Sequence, residues 1–257
     1  MNKIGVLQGV LSENSSFPYA TWKSELEQID KLNIDFLDWV VDSEPLSTFH
    51  NFLFSNKFID QIRESNLSKE IRSVYCSCFE EYSLLFCDST EKLYKRISIL
   101  EKITSTAKKN YIPQIIIPIF CNGENIEQKQ IDNIVFILRM ALKNLTLQNQ
   151  RILIETDFNI KVLLEIFHKV DNNLLGLSVK TSDLLNLNFV ELLAIKEYLT
   201  NITIDNNYKN FSLSFKNLED IEYAGHYLIN DKNFIDNHLR YLHKWLDKQK
   251  THEDTDQ

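Results

Sequence analysis

Short apolar runs rich in β-branched residues alternate along this chain with longer amphipathic stretches, and that alternation constrains the fold more than any other feature. Eight runs are present: Lys3 to Gln8, Ile34 to Val41, Ile71 to Cys76, Gln114 to Ile119, Arg151 to Glu155, Leu174 to Val179, Asn201 to Asp205 and His226 to Asn230. The fourth, Gln114-Ile115-Ile116-Ile117-Pro118-Ile119, is apolar on both faces. A strand of that kind has to be covered on both sides, as in a parallel sheet lying between other layers, and a hairpin fold with one wet face does not offer this.

Between the runs, Thr21 to Leu32, Thr90 to Lys109, Ile126 to Leu147 and Phe158 to Val170 place apolar residues three and four apart, with Lys and Glu on the opposite faces. This spacing predicts outer helices. Ser89 or Thr90 can cap the helix that begins there, and Glu91 suits the positive end of its dipole. A last helix, about Lys232 to Lys248, would close the fold. Only about twenty residues separate the seventh and eighth runs, and Phe211-Ser212-Leu213-Ser214-Phe215 is poor helix material, so a shortened seventh unit is expected. With 257 residues, no internal repeat and no Gly/Ser linker, the economical reading is an α/β fold, a single (β/α)8 TIM barrel over residues 1–250. Thr251 to Gln257 is expected to be a disordered polar tail.

The charge balance, 28 basic against 36 acidic side chains and a net −8, leaves no cationic footprint for phosphate backbones or anionic lipid. Neither nucleic acid nor membrane is expected as a partner. The polar residues of the amino terminus come too early for a signal peptide and no apolar stretch of about 18 residues follows, so a cytoplasmic location is expected. Cys76, Cys78, Cys87 and Cys121 have neither Cys-x-x-Cys spacing nor a nearby histidine, which argues for reduced thiols and against zinc or thioredoxin-like chemistry. Five glycines form no Gly-x-Gly-x-x-Gly or Walker-type loop.

In such a barrel chemistry sits where the strands end. The residues ending the runs include Gln8, Asp38 with Asp42, Cys76 with Ser77, Phe120 with Cys121, Glu155 with Asp157, Lys180, Thr203 with Asp205, and Asn230. Trp22 on a helix and Trp39, pointing away from Asp38, read as core, and Cys76 and Cys78 as buried small apolar groups.

The segment Ile4-Gly5-Val6-Leu7-Gln8-Gly9-Val10-Leu11-Ser12 resembles the opening of one branch of the sugar phosphate isomerase/epimerase family, xylose isomerase-like TIM barrels, where a strand ends in Gln-Gly-Arg-Leu-Ser. Val10 stands in place of the arginine. Trp22, Asp38-Trp39 with Asp42, Pro118 and Glu155-Thr156-Asp157 are similar to that branch in order and spacing. The resemblance implies a barrel acting on a small carbohydrate or sugar phosphate through a divalent metal. That metal would be held by a glutamate on the fifth strand, an aspartate on the sixth, a histidine on the seventh, and a glutamate or glutamine on the eighth. Glu155 matches, while the aspartate position falls on Lys180, the histidine position on Thr203 and the eighth-strand position on Asn230. One carboxylate is too few for a catalytic divalent ion, which usually needs about three protein ligands, so loss of the metal and no cofactor are expected.

Lys180 in place of a ligand carboxylate would repel a divalent cation and pair with Glu155. It could instead polarise a carbonyl, or form a Schiff base if burial lowers its pKa. The expected catalytic set is Glu155, Lys180 and Asp38, with Gln8, Asp157, Thr203, Asp205 and Asn230 lining the substrate. Two functions remain open: isomerisation or epimerisation of a small carbohydrate by metal-independent proton transfer, and a non-catalytic barrel that binds a carbohydrate or a protein partner. The oligomeric state is open.

Overall fold

The computed structural model describes residues 2–11, 22–41, 53, 60–61, 70–81, 84, 87, 89–145, 150–205, 211–230 and 235–253. Eight parallel strands close into a barrel in chain order: β1 (Ile4–Leu7), β2 (Phe36–Val40), β3 (Glu70–Tyr75), β4 (Gln114–Pro118), β5 (Arg151–Glu155), β6 (Leu175–Lys180), β7 (Leu199–Ile204) and β8 (His226–Ile229), with β8 pairing back onto β1. Each of the eight apolar runs holds one strand. Asp42 and His50 lie outside the described residues.

The outer layer contains α1 (Trp22–Lys31), α2 (Cys78–Glu81), α3 (Thr90–Lys109), α4 (Gln128–Lys143), α5 (Ile160–Val170), α6 (Thr181–Leu184), α7 (Phe189–Ile195), α8 (Phe211–Asp220) and α9 (Ile235–Glu253). Local chemistry sets several ends. Ser89 caps α3, its side chain accepting from the Lys92 N–H, and Asn159 caps α5 through Val162. Asp171 closes α5 in the left-handed conformation, at φ 49°.

Strand alternation sorts the apolar side chains into two bodies. Outward residues such as Val6, Trp39, Val74, Ile115, Ile117, Ile152, Ile154, Val179 and Ile202 join Leu26, Ile29, Leu100, Ile134 and Leu138 of the helices in one large core between sheet and helices. Trp22 and Trp39 belong to it, their rings 6.3 Å apart. Inside the barrel Val40, Tyr75, Ile116 and Leu153, with Leu7 against them, form a separate cluster. The barrel is therefore filled, as eight-stranded barrels are. Two glycines make this filling possible. A Cβ on Gly5 would collide with the ring of Phe36, and one on Gly176 would lie 2.6 Å from Cδ2 of Leu153.

Two sequence expectations need correction. Phe211 to Phe215, expected to resist helix formation, lies within the ten-residue α8. Tertiary packing overrides propensity here: Phe215 is buried against Tyr227 of β8 at 5.4 Å and Trp245 of α9 at 4.8 Å. α8 is close in length to the 11-residue α5, so the seventh unit does not stand apart as a shortened one. The last helix runs to Glu253, three residues into the stretch expected to be a polar tail, because no Gly or Pro stops it. Among the described residues no helix is long and apolar enough to cross a membrane.

Candidate active site

Glu155 ends β5 with its side chain on the inward face, two residues beyond Leu153 of the interior cluster. It is 1% exposed, and a bare carboxylate in that position would be costly. The neighbouring strand ends supply its partners. Tyr75 of β3 donates to Oε1 at 3.0 Å, Thr203 of β7 donates to Oε2 at 3.0 Å, and Nζ of Lys180, at the end of β6, lies 3.6 Å from Oε1. Ser178 of β6 extends the chain, its hydroxyl 3.3 Å from that of Thr203. Burial raises the Glu155 carboxyl above its usual range, while Lys180, Thr203 and Tyr75 act in the opposite direction.

Lys180 is the partly exposed member of the group, with 28% of its side chain accessible. Its ammonium faces Glu155 on one side and the ring of Phe120, 4.2 Å from the centroid, on the other. The pairing read from the sequence is therefore present, and an aromatic face from the end of β4 joins it.

Tyr75 and Glu80 were not legible as site residues. The phenol oxygen lies 3.0 Å from Oε1 of Glu155 and 3.0 Å from Oε1 of the exposed Glu80 on α2. One phenolic hydrogen cannot serve two carboxylates, so the fully bonded arrangement carries one further proton on one of the carboxyls. Burial and the two adjacent carboxylates push the Tyr75 phenol well above its ordinary range. The sequence alone puts Cys76 and Ser77 at this strand end. A one-residue step reverses the face, and it is Tyr75 that looks inward while Cys76 joins the outer core. The signal available was the alternation Ser73, Tyr75 on the β3 face.

The other expected residues are dispersed. Asp38 is fully buried on β2, two residues short of Val40, and so lies beneath the apolar cluster and not at the mouth. Its nearest polar neighbour is Ser73 of β3. Burial pushes its carboxyl up to about 7, with Ser73 and Arg72 opposing and Glu155 adding to the rise. Gln8 is buried, and its Oε1 accepts from the Val40 N–H at 3.0 Å, prolonging the β1–β2 ladder.

Asp157 accepts from the backbone N–H groups of Cys121 and Asn122 at 2.7 and 2.8 Å, tying the loop after β5 to the loop after β4. Asp205 receives the Thr181 hydroxyl at 2.7 Å, the Ser182 N–H at 3.0 Å and the Ser182 hydroxyl at 2.5 Å, and so fastens the start of α6. Asn230 is exposed just beyond β8, its N–H bonded to the carbonyl of Ile204. Of the eight expected residues, Glu155, Lys180 and Thr203 are thus brought together by direct contacts. No group of three or more His, Cys, Asp and Glu side chains that could hold a metal ion occurs among the described residues.

No protein-family model matches this chain, and no curated protein does. Solved structures do. A D-allulose 3-epimerase from Methylomonas sp., in complex with D-allulose, superposes with a TM-score of 0.70 at 15% identity, covering 89% of this chain and 83% of that one. A xylose isomerase-like TIM barrel protein from Mycobacterium smegmatis, in complex with magnesium, gives 0.66 at 13% identity, covering 96% and 97%. A sugar phosphate isomerase/epimerase from Parabacteroides distasonis gives 0.67 at 12% identity, covering 94% of each chain. At these identities the likeness is one of fold: the chain shares the closed (β/α)8 barrel of these proteins.

Proposed function

We propose that this chain is a sugar isomerase- or epimerase-like barrel that acts on a small carbohydrate, free or phosphorylated, by metal-independent proton transfer at Glu155. The observation that carries the reading is the ion pair of Glu155 and Lys180 at the ends of β5 and β6, on the face where barrel enzymes hold their substrates. Two of the structures that share the fold are a D-allulose 3-epimerase and a sugar phosphate isomerase/epimerase, and that likeness supports a carbohydrate as the ligand.

The residues present do not fit a divalent ion beside Glu155. Both of its oxygens already accept hydrogen bonds, from Tyr75 and Thr203, and a cation of the protein itself stands 3.6 Å away. In this reading no metal takes part. The charged Glu155 carboxylate would take the proton from a carbon next to a carbonyl, the electron pair of that C–H bond moving onto the carbonyl oxygen. The Lys180 ammonium would stabilise the resulting enediolate. Return of the proton from Glu155 to the former carbonyl carbon, with the hydroxyl proton of the first carbon passing to the enediolate oxygen, completes an isomerisation. Protonation of the first carbon on its opposite face by solvent, with Glu155 releasing its proton to solvent, completes an epimerisation. Asp38 lies too deep and Asp205 is occupied by α6, so neither serves as a second acid, and Tyr75 acts by holding Oε1 of Glu155 in place.

Solvent deuterium exchange into a panel of keto-sugars and their phosphates tests this reading. We expect exchange in the presence of a chelator, abolished by Glu155→Gln and reduced about 100-fold or more by Lys180→Met. Ligand binding demonstrated without any exchange would reject catalysis. It would favour the second reading, a non-catalytic barrel that binds a carbohydrate or a protein partner. That reading draws support from Asp157 and Asp205, whose carboxylates hold loops in place.

A further inference from the structure

At the opposite end of the barrel from Glu155, the strand starts surround a cavity of about 720 Å³. This end of a TIM barrel ordinarily serves stability, and its inward positions are filled by packed apolar side chains. Here several are polar. Gln114 and Asn201 face each other across the interior with a hydrogen bond of 3.1 Å, and Oδ1 of Asn201 is buried without a partner among the described residues.

Two arginines line the cavity. Arg72 of β3 crosses the barrel floor to Nε2 of His226 on β8, lying over the ring of Phe36 at 5.7 Å from its centroid. Its Nε is buried and has no hydrogen-bond partner among the described residues. Arg151, the first residue of β5, is exposed to the cavity, and its guanidinium has no ion pair or hydrogen bond among the described residues. A guanidinium without a carboxylate is a strong fork of donors still to be used.

The acidic residues around the cavity do not use it. Glu70 is held by Lys3 at 3.1 Å and by Arg72 at 3.7 Å, and Glu222 is held by Lys196 at 3.5 Å. Glu197 is the remaining carboxylate of the wall and lies exposed on the 3-10 turn Lys196–Tyr198. His226 contributes no charge at neutral pH, because burial and the adjacent Arg72 and Lys3 hold its imidazole down at about 4. The wall's three cations, Arg72, Arg151 and Lys196, are matched in number by its three carboxylates, but the guanidinium of Arg151 is held by none of them among the described residues.

We propose that the amino-terminal mouth of the barrel binds a small oxyanion, a phosphate or carboxylate group, between Arg72 and Arg151. The open apolar part of the wall, Pro113, Leu199 and Ala224, leaves room for the organic body of a phosphorylated or carboxylated metabolite. The site is independent of Glu155 and of any reaction there, since the two lie at opposite ends of the strands.

Calorimetric titration of the full chain at neutral pH and low salt with inorganic phosphate, malonate, ribose 5-phosphate and ribose tests the proposal, together with NMR of the His226 ring nitrogens. We expect saturable binding of the three anions with a Kd of about 1 mM or tighter, no binding of ribose at this end, and movement of the His226 ring signals. Arg151→Gln, an exposed and therefore benign change, is expected to weaken binding of inorganic phosphate and malonate about tenfold or more, while Lys180→Met leaves the response of the His226 ring signals to these two anions unchanged. Tighter binding of ribose 5-phosphate than of phosphate would assign a phosphorylated sugar, and equal binding would assign the free anion. Absence of saturation up to about 10 mM, or affinity that depends on Lys180 and not on Arg151, would overturn the proposal.

Discussion

Nζ of Lys180 stands 3.6 Å from Oε1 of Glu155, so a cation on β6 balances a carboxylate that is 99% removed from solvent on β5. The carboxylate is also hydrogen-bonded by β3 and β7. Four strand ends therefore meet at one charge, and the cost of burying that charge is offset only while all of them are in place.

Removal of the cation is the first test. Lys180→Met leaves Glu155 buried with its hydrogen bonds but without a counter-charge, and its carboxyl, already raised by burial, rises further. The folded state then holds a proton that the unfolded state gives up, so the loss of stability is greatest in neutral and alkaline solution and shrinks below about pH 4. Because Lys180 is 28% exposed, we expect a loss of about 1–3 kcal/mol at pH 8. Urea denaturation midpoints at several pH values would measure it, and adding Glu155→Gln should recover much of the loss. A deficit independent of pH would show that the pair is electrostatically unimportant.

Asp38 offers a test of the opposite sign. Its carboxyl ionises near 3.8 when unperturbed and near 7 in the folded barrel, chiefly because it is buried. A raised carboxyl pKa means that stability falls as pH rises through that window and stays lower above it. Asp38→Asn keeps the shape and removes the ionisation. The variant should match the wild type near pH 4 and be more stable by a few kcal/mol at about pH 8. Thermal or urea unfolding across this range decides the matter, and a difference that does not change with pH would contradict the assigned shift.

Gly5 tests the packing of the barrel floor. A Cβ there meets the ring of Phe36, a rigid neighbour that is itself fully buried. Gly5→Ala should cost about 1–3 kcal/mol in unfolding free energy, as overpacking of a filled core does. Phe36→Leu in the same chain should recover part of that cost. An alanine variant as stable as the wild type would mean that the Phe36 ring can move aside.

The sequence by itself determined the barrel, because strand and helix periodicities are written in consecutive residues. The eight apolar runs became the eight strands, and Ser89 and Glu91 marked the start of α3. It also placed Glu155 and Lys180 at adjacent strand ends, since a barrel of consecutive parallel strands leaves little choice of neighbours. Depth and facing were another matter. Whether Asp38 reaches the mouth or lies beneath Val40, and whether Tyr75 or Cys76 looks inward, depends on register and on what fills the layer above. Those contacts join residues far apart in the chain, as Tyr75 with Glu155 and Arg72 with His226 do. Asp157 and Asp205, which read as ligands because they follow strand ends, turned inward to backbone and hydroxyl donors that only the closed barrel brings within reach. The same closure gathered Arg72 and Arg151 around one cavity from strands whose sequences give no sign of a shared purpose.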